Sequence, residues 1–205
     1  MAIINQATKE LQVKIVYYGP AKSGKTTNLE QVHHNVQVPD SSTKGKLTSL
    51  ATSSDRTLFF DFFPLEAVAI KGFKTKFALF TVPGQVIYNA TRQIVLRGVD
   101  GIVFVADSQY DKMEENIETF KHLEDNLRAL NLNLANIPYV LQYNKRDLPN
   151  VAPFEFMEYL LNNRDEQAPS FSACAHKCEG VFETLNMITR LLLQKFVAQS
   201  QRKAA

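Results

Sequence analysis

Alternating strand-type and helix-type patterns predict an α/β fold, with a mostly parallel central sheet, helices on both faces and one antiparallel hairpin strand. Three observations carry that prediction. Apolar runs such as Val13–Tyr18 and Gly101–Ala106 are nearly continuous, as strands covered on both faces require. Between such runs lie segments whose apolar residues recur every three or four positions, the period of a helix with one buried stripe. The chain has 205 residues and no internal repeat or low-complexity tract, which fits one domain over 1–205 with 1–11 and 199–205 as terminal extensions.

Taken in order, the first strand covers 13–18 and gives way to Gly19-Pro20-Ala21-Lys22-Ser23-Gly24-Lys25-Thr26, after which a helix runs from Thr26 to His34. Residues 36–56 lack periodicity and are rich in Ser, Thr and Lys. A loop of that length inside a compact domain is usually functional or disordered. Strands over 57–63 and 66–71 flank Pro64. Only three residues, Gly72 among them, separate 66–71 from the next strand at 75–81, so this pair reads as an antiparallel hairpin. Further strands cover 101–106 and 137–143. The clearest helix spans 111–130, where Met113, Ile117, Phe120, Leu123, Leu127 and Leu130 form one apolar stripe, read as core packing. Helices at 154–163 and 180–198 follow, the latter with Val181, Leu185, Ile188, Leu192 and Phe196 on one side. The run Phe59-Phe60-Asp61-Phe62-Phe63 places aromatics on both faces of its strand. Either both faces are buried or one is a partner surface.

Composition excludes more than it assigns. The net charge is +2 from well-mixed signs, which gives no reason to expect nucleic-acid binding. There is no apolar run long enough to span a bilayer, no signal peptide, and no lipidation signal at either end, so a soluble cytoplasmic protein without a lipid anchor is expected. Cys174 and Cys178 flank His176. A structural zinc site takes four ligands, and three in one cluster fall short, so both thiols are expected to be reduced.

The chemistry lies in three loops. Gly19 to Thr26 is a complete G-x-x-x-x-G-K-T phosphate loop between a strand and a helix. Such a loop turns successive backbone N–H groups, here from Ala21, Lys22, Ser23, Gly24 and onward to Thr27, toward phosphate oxygens at a helix N-terminus. Lys25 adds a point charge at the β- and γ-phosphates, and the Thr26 hydroxyl is a ligand for Mg²⁺. Asn144-Lys145-Arg146-Asp147 follows the strand 137–143 at its carboxyl end, where doubly wound sheets place their ligands. The Asp147 carboxylate can accept from guanine N1–H and the exocyclic amine. Adenine offers an acceptor where guanine has N1–H and lacks that amine, so discrimination is expected to be large. Asn144 would tie this loop to the phosphate loop, and the Lys145 stem would lie along the base. In Val82-Pro83-Gly84-Gln85, Gly84 lets a backbone N–H approach the γ-phosphate, and Gln85 is placed to orient an attacking water.

This constellation resembles the Ras-like small GTPases from residue 12 to about 197, a three-layer P-loop domain. The runs Lys14–Pro20, Asp55–Phe62 and Thr81–Gln85 resemble one bacterial branch, the MglA family. The resemblance implies GTP and GDP as ligands, Mg²⁺ held by Thr26 and Thr57, γ-phosphate sensing by Thr57, and Arg56 as a built-in arginine finger. Without the resemblance, Arg56 reads as a solvated charge at a strand start, and Thr48, Thr52, Ser53 and Ser54 compete with Thr57 for the ion. Cys174-Ala175-His176 stands where Ras-like chains carry a base-contacting S-A-K loop. Only Ala175 keeps its identity, and its N–H is expected to reach guanine O6. Two positions depart from the Ras pattern. Thr81 replaces an Asp that reaches Mg²⁺ through water, a substitution typical of the MglA branch, and Ala21 replaces a Gly near the catalytic glutamine. The resemblance also implies a dimeric roadblock-type activating partner (MglB-like), GTP-dependent effectors, recruitment to a cell pole, and a role in polarity or motility for a chain monomeric on its own. The expected activity is GTP hydrolysis, slow without the partner. A nucleotide-locked scaffold, suggested by Ala21 and Thr81, is the alternative. An ATP-using enzyme is disfavoured by Asp147.

Overall fold

The computed structural model describes residues 3–5, 9–35, 48–49, 61–70, 73–84 and 88–202. Strands are β1 (Ile3–Asn5), β2 (Glu10–Tyr18), β3 (Thr48–Ser49), β4 (Asp61–Ile70), β5 (Phe73–Thr81), β6 (Gly101–Asp107), β7 (Tyr139–Asn144) and β8 (Ser170–Ser172). Helices are α1 (Lys25–Asn35), α2 (Asn89–Leu96), α3 (Met113–Ala129), α4 (Phe154–Leu161) and α5 (Val181–Arg202). The sheet order is β3-β4-β5-β2-β6-β7-β8, with β1 on β2. Five strands, β5, β2, β6, β7 and β8, run parallel. Outside them, β4 is registered antiparallel to β5, β3 to β4 and β1 to β2.

Two cores follow from the alternation of side chains along the parallel strands. Val13, Ile15 and Tyr17 of β2, with Val103 and Val105 of β6, face Leu29 and Val32 of α1 and Val181, Leu185, Ile188 and Leu192 of α5. Val16 and Tyr18, with Ile102, Phe104 and Ala106, face α2, α3 and α4 on the other side. Every residue of β6 is buried, as its continuous apolar run requires of a central parallel strand. The stripe along α3 lands on the second core, with Met113, Phe120, Leu123 and Leu127 buried and Ile117 and Leu130 partly so.

The structure corrects several boundaries. The two strands expected around Pro64 are one, β4, which runs through the proline without interruption. Its outer neighbour β3 pairs only with Asp61 and Phe62, so on that side Pro64 faces no paired strand among the described residues, the setting in which a strand tolerates a missing N–H. Residues 57–60, the turn at 71–72 and most of 36–56 lie outside the described residues, as do the side chains of the aromatic run. Within the expected N-terminal extension, 3–5 and 10–11 belong to the sheet, and α5 continues to Arg202. Helix α2 and strand β8 were not expected. Asn89–Leu96 is eight residues long, with Arg92 in the buried set, and Ser-Phe-Ser is too short and polar to carry a strand period. Among the described residues no helix is long and apolar enough to cross a membrane.

Candidate functional site

The parallel strands β2, β6 and β7 end on the same side of the sheet, and the loops leaving them converge there, the usual ligand position of an open α/β sheet. The loop after β2 reverses tightly into α1. Gly24 has φ +103°, and a Cβ there would collide with the Asn144 side-chain amide, so only glycine allows the two loops to approach this closely. The Asn144 amide then joins three segments. Its Nδ2 donates to the Ser23 carbonyl at 2.7 Å, and its Oδ1 accepts from the Ala175 N–H at 2.8 Å. The tie between Asn144 and the phosphate loop is thus present. The Ala175 N–H, expected to face guanine O6, donates to this Asn144 oxygen.

Around this junction lies a cavity of about 290 Å³ lined by Lys22, Gly24, Thr27, Asn144, Lys145, Asp147, Ala175 and His176, all named from the sequence, and by Leu148, which was not. Lys145, held in the left-handed region at φ +66°, pairs through Nζ with Asp107 Oδ2 at 2.6 Å. Asp107 is 2% exposed and closes β6. It was missed, although an acidic residue ending an apolar run at this edge of the sheet was a usable signal. The Asp147 carboxyl is held below its ordinary range, first by a hydrogen bond from the Cys174 thiol, aided by the nearby His176 and Lys177. Burial and the Asp147 carboxylate push the Cys174 thiol up.

On the phosphate side, Lys25 is buried and its ammonium donates to the carbonyls of Gly19 at 2.9 Å and Pro20 at 2.6 Å, folded across the mouth of the loop. Ser23 Oγ is buried without a partner. An inward-turned lysine, an orphaned hydroxyl and a loop whose Gly24 admits no side chain fit an anion cradle, and Thr26, half-buried in the first turn of α1, fits as an oxygen donor to a hard cation. Gly84 lies against this loop so closely that a Cβ would strike the Ala21 backbone. Its segment is pinned from α2, for Arg92, 1% exposed, donates through Nε to the Pro83 carbonyl at 2.9 Å and through a second guanidinium nitrogen to the Gly84 carbonyl. Arg92 was not named from the sequence, where a single arginine before an apolar pair carries no signal. Thr81 is fully buried at the end of β5. Gln85, Arg56 and Thr57 lie outside the described residues.

Beneath the site, Asn28 of α1 and Gln142 of β7 exchange two amide hydrogen bonds of 2.8 and 2.9 Å, both side chains fully buried. Gln142 also donates to Thr184 Oγ1 of α5 at 3.0 Å. This network fixes α1, and hence the phosphate loop, relative to the strand that carries Asn144.

The sequence model of the ADP-ribosylation factor family matches residues 1–192. The mutual gliding-motility protein MglA of Myxococcus xanthus (strain DK1622) is 51% identical over 193 residues, covering 94% of this chain and 96% of its own. An uncharacterised protein of Methanocaldococcus jannaschii is 26% identical over 182 residues, 88% of this chain and 97% of its own.

Proposed function

The chain belongs to the MglA family of small GTPases, within the ADP-ribosylation factor family, and from that premise we propose that it is a GTP-driven switch controlling gliding motility or cell polarity through partners that read its nucleotide state. The observation that carries the reading is the Asn144 junction, which closes the phosphate loop, the Asp147 loop and the 173–177 loop around one cavity.

GTP is the substrate. Water attacks the γ-phosphorus in line, the bond to the β–γ bridging oxygen breaks, and GDP and phosphate leave. Lys25 exchanges its bonds to the Gly19 and Pro20 carbonyls for phosphate oxygens, so its desolvated charge is directed at the transferred group rather than acquired from solvent. Gly84 N–H addresses the γ-phosphate, Gln85 holds the water, Thr57 senses the γ-phosphate, and Arg56 relieves charge in the transition state. Thr26 and Thr57 would hold Mg²⁺, which would supply positive charge to the phosphate oxygens. Hydrolysis is slow until a roadblock-type dimer binds, and the roles of Arg56, Thr57 and Gln85 are exercised in that complex.

Equilibrium titration with fluorescent guanine and adenine nucleotides tests the base assignment. Asp147→Asn is expected to lose GTP affinity by about 10²-fold or more, because N1–H and the exocyclic amine lose two charge-assisted acceptors, and to gain xanthine nucleotide, whose C2 carbonyl accepts from the new amide. Equal affinity for ATP and GTP in the wild-type chain would overturn the reading. The close packing of Gly84 on Ala21 favours a second reading, a nucleotide-locked scaffold with negligible turnover. Single-turnover phosphate release with and without the activating partner separates the two.

A further inference from the structure

At the base end of the cavity three different metal-ligating side chains converge from two loops. Cys174 Sγ lies 3.3 Å from His176 Nδ1, His176 Nδ1 lies 3.7 Å from Asp147 Oδ2, and the three ligand atoms are all within 4.8 Å of one another. Zinc-type bond lengths of about 2.3 Å to sulfur and about 2.0–2.1 Å to nitrogen and oxygen, at the tetrahedral angle, separate S from N by about 3.6 Å and N from O by about 3.4 Å. The two measured separations are close to those edges, and the third is no longer than 4.8 Å. Cys178, the thiol paired with Cys174 by sequence proximity, is not in the cluster: the 3₁₀ turn Ala175–Lys177 ends at Cys178, whose sulfur instead lies 3.7 Å from Asn35 Nδ2. Sequence spacing offered the wrong third ligand, and the fold supplies Asp147.

We propose that Asp147, Cys174 and His176 form a site for a thiophilic divalent cation of the zinc class, and that its occupancy excludes guanine nucleotide. A thiolate and an imidazole select such a cation over Mg²⁺, whose oxygen-ligand site belongs to the phosphate end of the cavity. On binding, the Cys174 sulfur coordinates as thiolate and its proton leaves to solvent. His176 binds through Nδ1 with its proton on Nε2, Asp147 coordinates as the anion, and water completes the tetrahedron. Two anionic ligands neutralise the ion. Three protein ligands and an open fourth position suit an exchangeable ion rather than a structural one. The exclusion of nucleotide rests on the proposed reading that Asp147 pairs with guanine, since a carboxylate bound to the ion no longer offers both oxygens to N1–H and the amine.

The test uses the full chain stripped of nucleotide, with Co²⁺ as a spectroscopic probe and Zn²⁺ as competitor. The expected result is a thiolate-to-cobalt charge-transfer band saturating at one equivalent and bleached by Zn²⁺. That band is lost in Cys174→Ser, weakened roughly tenfold in apparent affinity in His176→Ala, and retained in Cys178→Ser. Circular dichroism checks each variant, and His176→Ala, at a side chain 64% exposed, carries the prediction if Cys174→Ser does not fold. In a second arm, with Mg²⁺ held constant, Zn²⁺ is expected to raise the GDP dissociation constant roughly tenfold or more in the wild-type and Cys178→Ser chains and to leave that of Cys174→Ser unmoved. No thiolate band, or a band persisting in Cys174→Ser, overturns the site. A band together with GDP binding indifferent to Zn²⁺ overturns the exclusion. Failure to bind any guanine nucleotide without metal would instead defeat the functional reading and leave the cobalt arm to decide the site.

Discussion

Asn144 spends both ends of one side-chain amide on backbone groups of two other loops, so its replacement removes two hydrogen bonds at once. Asn144→Ala leaves the Ser23 carbonyl and the Ala175 N–H without partners in a buried setting, at a cost of about 1–3 kcal/mol each. It is expected to lower Tm and accelerate GDP release. Asn144→Asp keeps the acceptor for Ala175 but sets a carboxylate oxygen against the Ser23 carbonyl. Its GDP release is therefore expected to be at least as fast as that of Asn144→Ala, measured by fluorescence decay after dilution into unlabelled nucleotide. Asp100 gives a pH-dependent prediction. Burial pushes its carboxyl above the ordinary value of 3.8, although it accepts a hydrogen bond from the Lys14 N–H at 2.9 Å. Between the ordinary and the raised value the folded chain binds more protons than the unfolded one, so stability falls as pH rises through that window. Asp100→Asn is expected to raise Tm at neutral pH, with the advantage disappearing on acidification below the ordinary value. Melting curves of both chains across that range check the sign.

At the scale of elements, the Asn28–Gln142 pair determines how α1 sits on β7, and the amide network continues to Thr184 of α5. Asn28→Leu leaves the buried Gln142 Oε1 without its donor, while Nε2 keeps Thr184, and is expected to destabilise by about 1–3 kcal/mol. Asn28→Leu combined with Gln142→Leu removes both desolvated amides and is expected to recover part of that loss, so a urea double-mutant cycle should be strongly non-additive. Strictly additive costs would mean the pair does not act as a unit. The long elements were legible because their period repeats. The stripe along α3 and the apolar runs of β2, β6 and β7 each carry several concordant residues. Short elements lack that redundancy: β8 has three residues and α2 eight, with a buried arginine among its inward positions. The continuous passage of β4 through Pro64 was hidden for a different reason. Whether a proline breaks a strand depends on what lies beside it, and here that is the short β3.

For the molecule as a whole, the prediction concerns turnover. Intrinsic GTP hydrolysis is expected to be slow, to rise by about 10³-fold or more with the roadblock-type partner, and to vanish in Gln85→Ala under both conditions, read as phosphate release in single-turnover assays. Partner acceleration that survives Gln85→Ala would reassign the water-positioning role. What the sequence determined alone is local: the alternation that makes an α/β sheet, and the two motifs whose residues are neighbours in the chain. What only the tertiary structure decided is how segments 121 positions apart meet, as Ser23 and Asn144 do. The commitment of the Ala175 N–H to Asn144, the pairing of Lys145 with Asp107 and the approach of Asp147 to Cys174 and His176 all depend on the register of parallel strands. Register is a property of two strands together, set by the cores they share with α1, α3 and α5, and neither strand's residues encode it separately.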